Sequence, residues 1–582
     1  MVGLATLGLG ACATTPAPIT KLVDGRQITT RSINPDAYEH VSRALLYEEQ
    51  EQWKKAAEEI RSALVFDHDS PELHAQLAEL LLRLGDIEGA ADEARDSLKI
   101  GRTASGLLAE AHVRRAKGDV AGAVASLRKA TNEVEFQASD DDAEEVYLEL
   151  ADAELRVLDV PSAQGTLEIL TRAEPASGMG RMRLAAIYWA EGDMPKAEAQ
   201  LRAALAEEPN QIEALAALAW ICAAEGNTAK ARQAFADALD RSENALDIAA
   251  AYARFLVGIG ATKAAEQLAD DFSVPPGSLD ADTIAGRIEL ERSAGRLDRA
   301  LALLEQAQGQ GIPEDDKNRF SFTRAALLKE QGKTDAAIAA VLAVAKTSPL
   351  YFEARLRAAE LLREAGRYSE ATRTVEEALP LAAGDRVSVE IEAAVSLALI
   401  DEKRGDPATG VDRLVKMLVR QPDDKRSTLT LAAIEERRGN WRRGLDLVAH
   451  YLAKNPGSVE ALNFWGFVAA DHGFDLDLAG KRLQVANALD PGSGGLIDSL
   501  AWVRFRSKDL DKAAMFIEQA ARLEPKDPEI RWHLGEIYAE RKETARAVAA
   551  FRRGLGLSPD ERVQRKLQDS LARLSGGRIS GK

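Results

Sequence analysis

Seven histidines (His40, His68, His74, His112, His450, His472 and His533) and two cysteines (Cys12 and Cys222) carry whatever metal or nucleophilic chemistry this 582-residue chain could perform. No pair of histidines has the His-Glu-x-x-His spacing that puts two ligands on one helix face, and no Cys/His cluster has the spacing of a zinc site. His68 and His74, six residues apart, read as surface residues. Cys222 falls on the core side of an apolar helical stretch, where a thiol packs as a small inert hydrophobe. Asp140-Asp141-Asp142 lacks the alternation and the glycine of a calcium loop and reads as a solvated loop. There is no phosphate-cradling glycine motif and no Gly-x-Ser-x-Gly elbow. These residues point to no catalytic group, no metal, no cofactor and no small-molecule substrate, so the expectation is a protein that is not an enzyme.

The elements that carry these residues are more informative. A single hydrophobic core rarely serves more than about 250–300 residues, so the chain is either several domains or one architecture that grows by repetition. Aromatic residues make up 5% and helix formers dominate, which argues against sheets. With 46% hydrophobic and 29% charged residues the chain can bury a core, and its net charge of -18 repels nucleic-acid phosphate. Repetition is directly legible. Leu534-Gly535, Tyr538, Ala547, Phe551 and Pro559 form one unit; stepping back gives Leu500-Ala501, Ala513, Ile517, Ala520 and Pro525, and then Trp465-Gly466, Ala479, Leu483, Ala486 and Pro491. Carried along the chain, the register starts near residues 37, 71, 104, 144, 178, 212, 246, 281, 318, 352, 391, 425, 459, 494 and 528, fifteen units in all. Small residues from Ala56 and Ala90 to Ala371 recur where a second helix must approach a first. Glycines such as Gly85, Gly192 and Gly405 recur in the turn between them, where positive φ favours glycine. The period stretches around 131–143, 272–280, 309–317 and 380–390, which read as loop insertions.

This pattern resembles the tetratricopeptide repeat family over about nine tenths of the chain. The resemblance implies an all-α, right-handed α-solenoid of about fifteen helix-turn-helix repeats. The expected organisation is 1–12 a signal peptide, 13–36 a flexible tether, 37–281 the N-terminal repeats, 282–458 the central repeats, 459–561 the C-terminal repeats and 562–582 a capping helix and tail. The cap follows from the apolar stripe Val563, Leu567, Leu571 and Leu574, since a last repeat without a neighbour would expose its packing face. In this family the first helices line a concave groove through positions 2, 5, 9, 12 and 13 of each unit. On that frame Trp53, Trp441 and Trp465 are packing residues. Trp189 and Trp220 define one candidate peptide groove, and Phe467, Trp502, Phe505 and Trp532 a second, because exposed tryptophan in a concavity is typical of binding hot spots. The family's carboxylate clamp does not carry over, since the first unit has Val41 and Leu45 at the equivalent positions and the only such Asn is Asn463.

Leu9-Gly10-Ala11-Cys12, at the end of an apolar run, resembles the recognition box of bacterial lipoprotein signal peptides. That resemblance implies acylation of Cys12, and Ala13 after it favours the outer membrane, periplasmic face. No other stretch approaches the roughly 18 apolar residues of a membrane span. Charge is segregated: residues 133–159 hold eleven acids against Arg156, while 541–582 hold eleven bases against four acids. The expected partners are protein or peptide clients, met through a membrane-anchored scaffold that helps assemble an envelope complex such as a pilus, a secretion pore or a polysaccharide exporter. The alternative is a cytosolic adaptor or a regulatory subunit of an enzyme complex.

Overall fold

A computed structural model describes residues 19–23, 26–30, 35–133, 141–243, 245–272, 280–309 and 312–576. From residue 35 onward these form helices that pair in the expected register. Repeat 1 is Pro35–Glu49 with Trp53–Phe66, repeat 2 is Pro71–Arg83 with Ile87–Ile100, and the pairing continues to repeat 15, Pro528–Glu540 with Thr544–Leu555. A last helix, Glu561–Gly576, follows as the cap, with Val563 and Leu567 buried. The architecture is an all-α helical-repeat solenoid.

The stretch expected to be a tether differs in one respect: it contains an antiparallel hairpin, Ile19–Val23 paired with Arg26–Thr30. The physical reason is compositional. Both segments are rich in Ile, Val and Thr, and the sequence between them is Asp24-Gly25, a strong hairpin signal.

The chain forms two compact units, Met1–Ala153 and Glu154–Lys582. Neither the expected boundary at 281/282 nor the one at 458/459 separates them. Within the second unit the reason is a return contact. The second helices of repeats 13 and 14, Leu476–Leu489 and Leu510–Leu523, pack on the first helices of repeats 5 and 6, Gly178–Glu191 and Ile212–Glu225. Repeats eight apart therefore touch, in addition to the neighbour-to-neighbour packing that defines a solenoid.

Two register positions set the local geometry. At position 15 the chain is left-handed in every repeat. Eleven repeats use glycine there, and Glu51, Leu158, Lys508 and Lys542 adopt the same conformation with φ of 55 to 65° in the other four. At position 20 a small residue lets the second helix approach the first. Ala56, Ala90, Ala163 and Ala547 are fully buried there, and repeats 11 and 12 use Gly410 and Gly444 instead. A Cβ on Gly410 would lie 2.7 Å from the Ala398 carbonyl oxygen, a backbone atom with nowhere to go. Although Ala is the better helix former by about 1 kcal/mol, Gly410→Ala is expected to destabilise repeat 11. Overpacking costs roughly 1–3 kcal/mol and the propensity gain offsets only part of it. Faster amide exchange in Arg386–Arg420, relative to the parent, is the readout.

Candidate protein-binding grooves

The first tryptophan pair is not an open groove. Trp189 is 3% exposed. Its indole N–H donates to Gln519 Oε1 at 3.1 Å, and Gly492 lies against its ring. Nearby, Arg522 donates from Nη1 to the Ala224 carbonyl at 2.6 Å. The return contact between repeats eight apart therefore covers this surface, and the expectation of a solvent-facing Trp189 is corrected accordingly. Trp220 is half-buried, edge-on to Phe235 at 5.1 Å.

The second group does come together. Trp502 lies 5.0 Å from Phe505, 5.5 Å from Trp532 and 4.3 Å from His533, and Phe467 lies 5.9 Å from His533. The cluster is mainly internal, however. Trp502 is 4% exposed and donates to Asp471 Oδ1 at 3.1 Å. Trp532 donates to Ser570 of the cap at 3.2 Å, with the Lys566 ammonium 4.0 Å above its ring. At the centre His533, fully buried, pairs through Nδ1 with Asp498 at 2.8 Å. Burial pushes the Asp498 carboxyl up, against the pull of His533. Phe467, Phe505 and Trp532 keep partial exposure. The sequence frame placed these residues on one face but missed His533 as the group that fills the face, and missed the cap as its cover.

Among the described residues, open grooves lie elsewhere. In the second unit, first helices of repeats 9 to 12 (Glu314–Glu330, Tyr351–Glu364, Arg386–Arg404 and Lys425–Arg437) enclose about 790 Å³. Position 5 of these four repeats supplies Phe322, Leu356, Val395 and Leu429, all half-buried, with Leu399 at position 9. Charges along it are mutually compensated: Arg426 donates to Glu392 at 2.6 Å, and Arg357 pairs with Glu360. No tryptophan marks this groove in the sequence; its signal there is an unbroken run of large apolar side chains at one groove position.

In the first unit, first helices of repeats 1 to 4 enclose about 780 Å³ between Glu48, Glu72, Glu79, Leu82, His112 and Glu149, among others. His112 Nδ1 meets Glu79 at 2.7 Å, and its Nε2 faces Glu149 at 3.6 Å. Burial works against a charge on this imidazole, but the carboxylates of Glu149 and Glu79 outweigh it and raise its pKa from 6.5 to about 9. Glu149, beside His112 and bonded to Arg115 at 2.8 Å, is held at about 2. Because the His112 pKa is raised, its stabilisation is complete below about pH 6.5 and fades as pH rises through 9. The Glu149 part is complete above about 4.5 and fades only toward 2. His112→Gln should therefore cost about 1.5–3 kcal/mol between pH 5 and 6.5, as expected for bonds to charged groups. The difference should be nearly gone at pH 10, as thermal melts across that range would record.

The remaining residues are structural. Cys222 is fully buried, and burial pushes its thiol up to about 11, which leaves it unreactive. His74 Nδ1 bonds Glu93 at 2.6 Å, while His68 is exposed. Among the described residues no group of three or more His, Cys, Asp or Glu is placed to hold a metal, and no helix is long and apolar enough to cross a membrane. Cys12 lies outside the described residues.

Tetratricopeptide repeat family models match residues 328–388 and 504–570, and 148–212 and 188–245. A TPR repeat-containing protein of Pseudomonas aeruginosa, PA4667, is 25% identical over 190 residues, which is 32% of this chain and 31% of that protein. The chain thus matches about a third of that relative's length. Among solved structures, Naa15/Naa10 bound to HypK-THB aligns over 93% of this chain and 96% of its own, at 16% identity and a TM-score of 0.30. The APC/C hetero-tetramer Cut9-Hcn1 aligns over 93% and 96%, at 14% and 0.35. YrrB, a TPR protein with an unusual peptide-binding site, aligns over 32% and 94%, at 17% and 0.26. With its fifteen helical hairpins, its left-handed turn at position 15 and its small residue at position 20, the chain is a tetratricopeptide repeat protein.

Proposed function

We propose that this protein is a scaffold that gathers protein or peptide clients, held at the bacterial outer membrane by a lipid on Cys12, during assembly of an envelope complex such as a pilus, a secretion pore or a polysaccharide exporter. The observation that carries the client-binding part is the open groove of repeats 9 to 12. Its position-5 column of Phe322, Leu356, Val395 and Leu429 stays half-exposed along one groove, whereas Trp189 and Trp502 are covered. Tetratricopeptide repeats generally work as non-catalytic scaffolds, and this groove offers apolar anchor sites between compensated charges, a surface suited to an extended or helical segment with apolar side chains. The anchoring part rests on the Leu9-to-Cys12 box alone.

A photo-crosslinking residue at position 356, introduced in the native host, should capture defined clients. In a separate variant, Leu356→Asp with Leu399→Asp should weaken recovery of those clients by at least about tenfold, the size expected when apolar hot-spot anchors are lost, while helical circular dichroism is unchanged. Undiminished recovery of the same clients by the Asp variant would place them elsewhere. Cys12→Ala should move the protein from the membrane to the soluble fraction. A wild-type protein already soluble in the cytoplasm would instead favour the cytosolic adaptor.

A further inference from the structure

The groove of the first unit differs in chemistry from the central one. Its carboxylates are Glu48, Glu72, Glu79, Glu145 and Glu149, against Arg83, Arg115 and His112. Glu79 and Glu149 are engaged with His112 and Arg115. Among the described residues Glu48 and Glu72 take hydrogen bonds only from neutral groups, Gln76 at 2.9 Å and Ser70 at 3.0 Å respectively, so their charge faces the groove without a bonded cation. Beside them, Tyr38 and Leu45 lie on the same face of Pro35–Glu49 as Glu48 and are 65% and 51% exposed. Exposed apolar residues are ordinarily unremarked when single, but these two take groove positions 2 and 9 of repeat 1, on the helix that supplies Glu48 to the concavity of about 780 Å³.

Resting on the reading of the chain as a client-binding scaffold, we propose that this groove receives an extended segment of a partner protein that carries lysine or arginine next to an apolar side chain. The apolar side chain lies against Tyr38 and Leu45, and the cations reach Glu48 and Glu72. Charge complementarity commits the groove to a basic occupant: an acidic peptide would meet two uncompensated carboxylates, and a neutral one would leave their field unused. The two grooves thus select different clients, an apolar segment in repeats 9 to 12 and a basic, apolar-anchored one in repeats 1 to 4.

The test uses the full chain and two fluorescein-labelled nonapeptides, one alternating Leu and Lys and one alternating Leu and Glu, titrated by anisotropy. With the central groove blocked by Leu356→Asp and Leu399→Asp, the Leu/Lys probe should bind, more weakly at higher salt, and the Leu/Glu probe should not. Glu48→Gln with Glu72→Gln, and separately Tyr38→Ala, should each weaken Leu/Lys binding at least about fivefold. Glu376→Gln with Glu377→Gln, which removes the same charge from an exposed surface in repeat 10, should leave it unchanged. The proposal is overturned if the Leu/Lys probe does not bind, if both charge pairs weaken it equally, so that only the net charge acts, or if the Leu/Glu probe binds as well, so that only apolar adhesion acts. The Leu356→Asp, Leu399→Asp variant should bind the Leu/Lys probe like the parent, which separates this site from the central groove and lets either reading fail alone.

Discussion

Trp189→Ala is expected to loosen two parts of the second unit that lie hundreds of residues apart in sequence. Truncating a buried tryptophan costs roughly 3–5 kcal/mol. Here the loss should not stay in repeat 5, because the ring bridges to Gln519 and packs on Gly492. Amide exchange should rise in Gly178–Glu191 and in Leu510–Leu523 together, while Arg386–Arg420, on neither side of the contact, keeps its protection. Gln519→Ala should reproduce a smaller version of the same pattern, since it removes one hydrogen bond worth about 1 kcal/mol but leaves the ring in place. Trp220→Ala is the control. That ring lies edge-on to Phe235, so its loss should be felt mainly in repeat 6, with a smaller rise than Trp189→Ala gives in Leu510–Leu523, which packs on its helix. A solenoid held only by nearest neighbours would confine the Trp189 effect to repeats 4 to 6, so exchange in Leu510–Leu523 is the decisive measurement. Segment-resolved exchange is preferable to a single melting curve, because long repeat arrays need not unfold in one step.

How much of this was legible in the sequence follows the distance over which each contact acts. The hairpins were legible because each needs only a turn residue and a small residue at fixed spacing. Contacts within a repeat and between adjacent repeats also leave a trace. Tyr188 donates to Glu168 and Tyr538 to Glu518, each at 2.8 Å and each twenty residues back, and His40–Glu59 and His74–Glu93 repeat a nineteen-residue pairing at 2.6 Å. A repeated offset of this kind can be found in the sequence once the register is known. The contact of Trp189 with Gln519 cannot. It depends on the small rotation between each repeat and the next, accumulated over eight repeats, and no residue pair encodes that sum. The same limit explains why the exposure expected of Trp189 and Trp502 is not met. Register says which face of a helix a residue occupies, but not whether a distant helix or a cap lies on it.

The other large effect concerns Trp502. On the sequence alone, loss of its ring would remove a binding anchor and leave the fold intact. The structure reverses that expectation. The ring is 4% exposed, donates to Asp471 and packs against Phe505, Trp532 and His533. Trp502→Ala should cost roughly 3–5 kcal/mol, and the cost should spread because the ring is part of the wall around a buried polar pair. Water admitted to His533 and Asp498 would compete with their 2.8 Å contact, and both sit on first helices of adjacent repeats. Protection should therefore fall in Val459–Asp471, Gly494–Arg506 and Pro528–Glu540, with the cap Glu561–Gly576 following because it rests on repeat 15. Trp502→Phe keeps an aromatic wall but loses the bond to Asp471, so it should recover most of the stability. Lys566→Ala, which removes the cation over Trp532 and its pairing with Glu529, should cost about 0.5–1 kcal/mol. Should Trp502→Ala instead retain full protection in these four helices, the ring would not be supporting the pair, and its face would return as a surface open to a client.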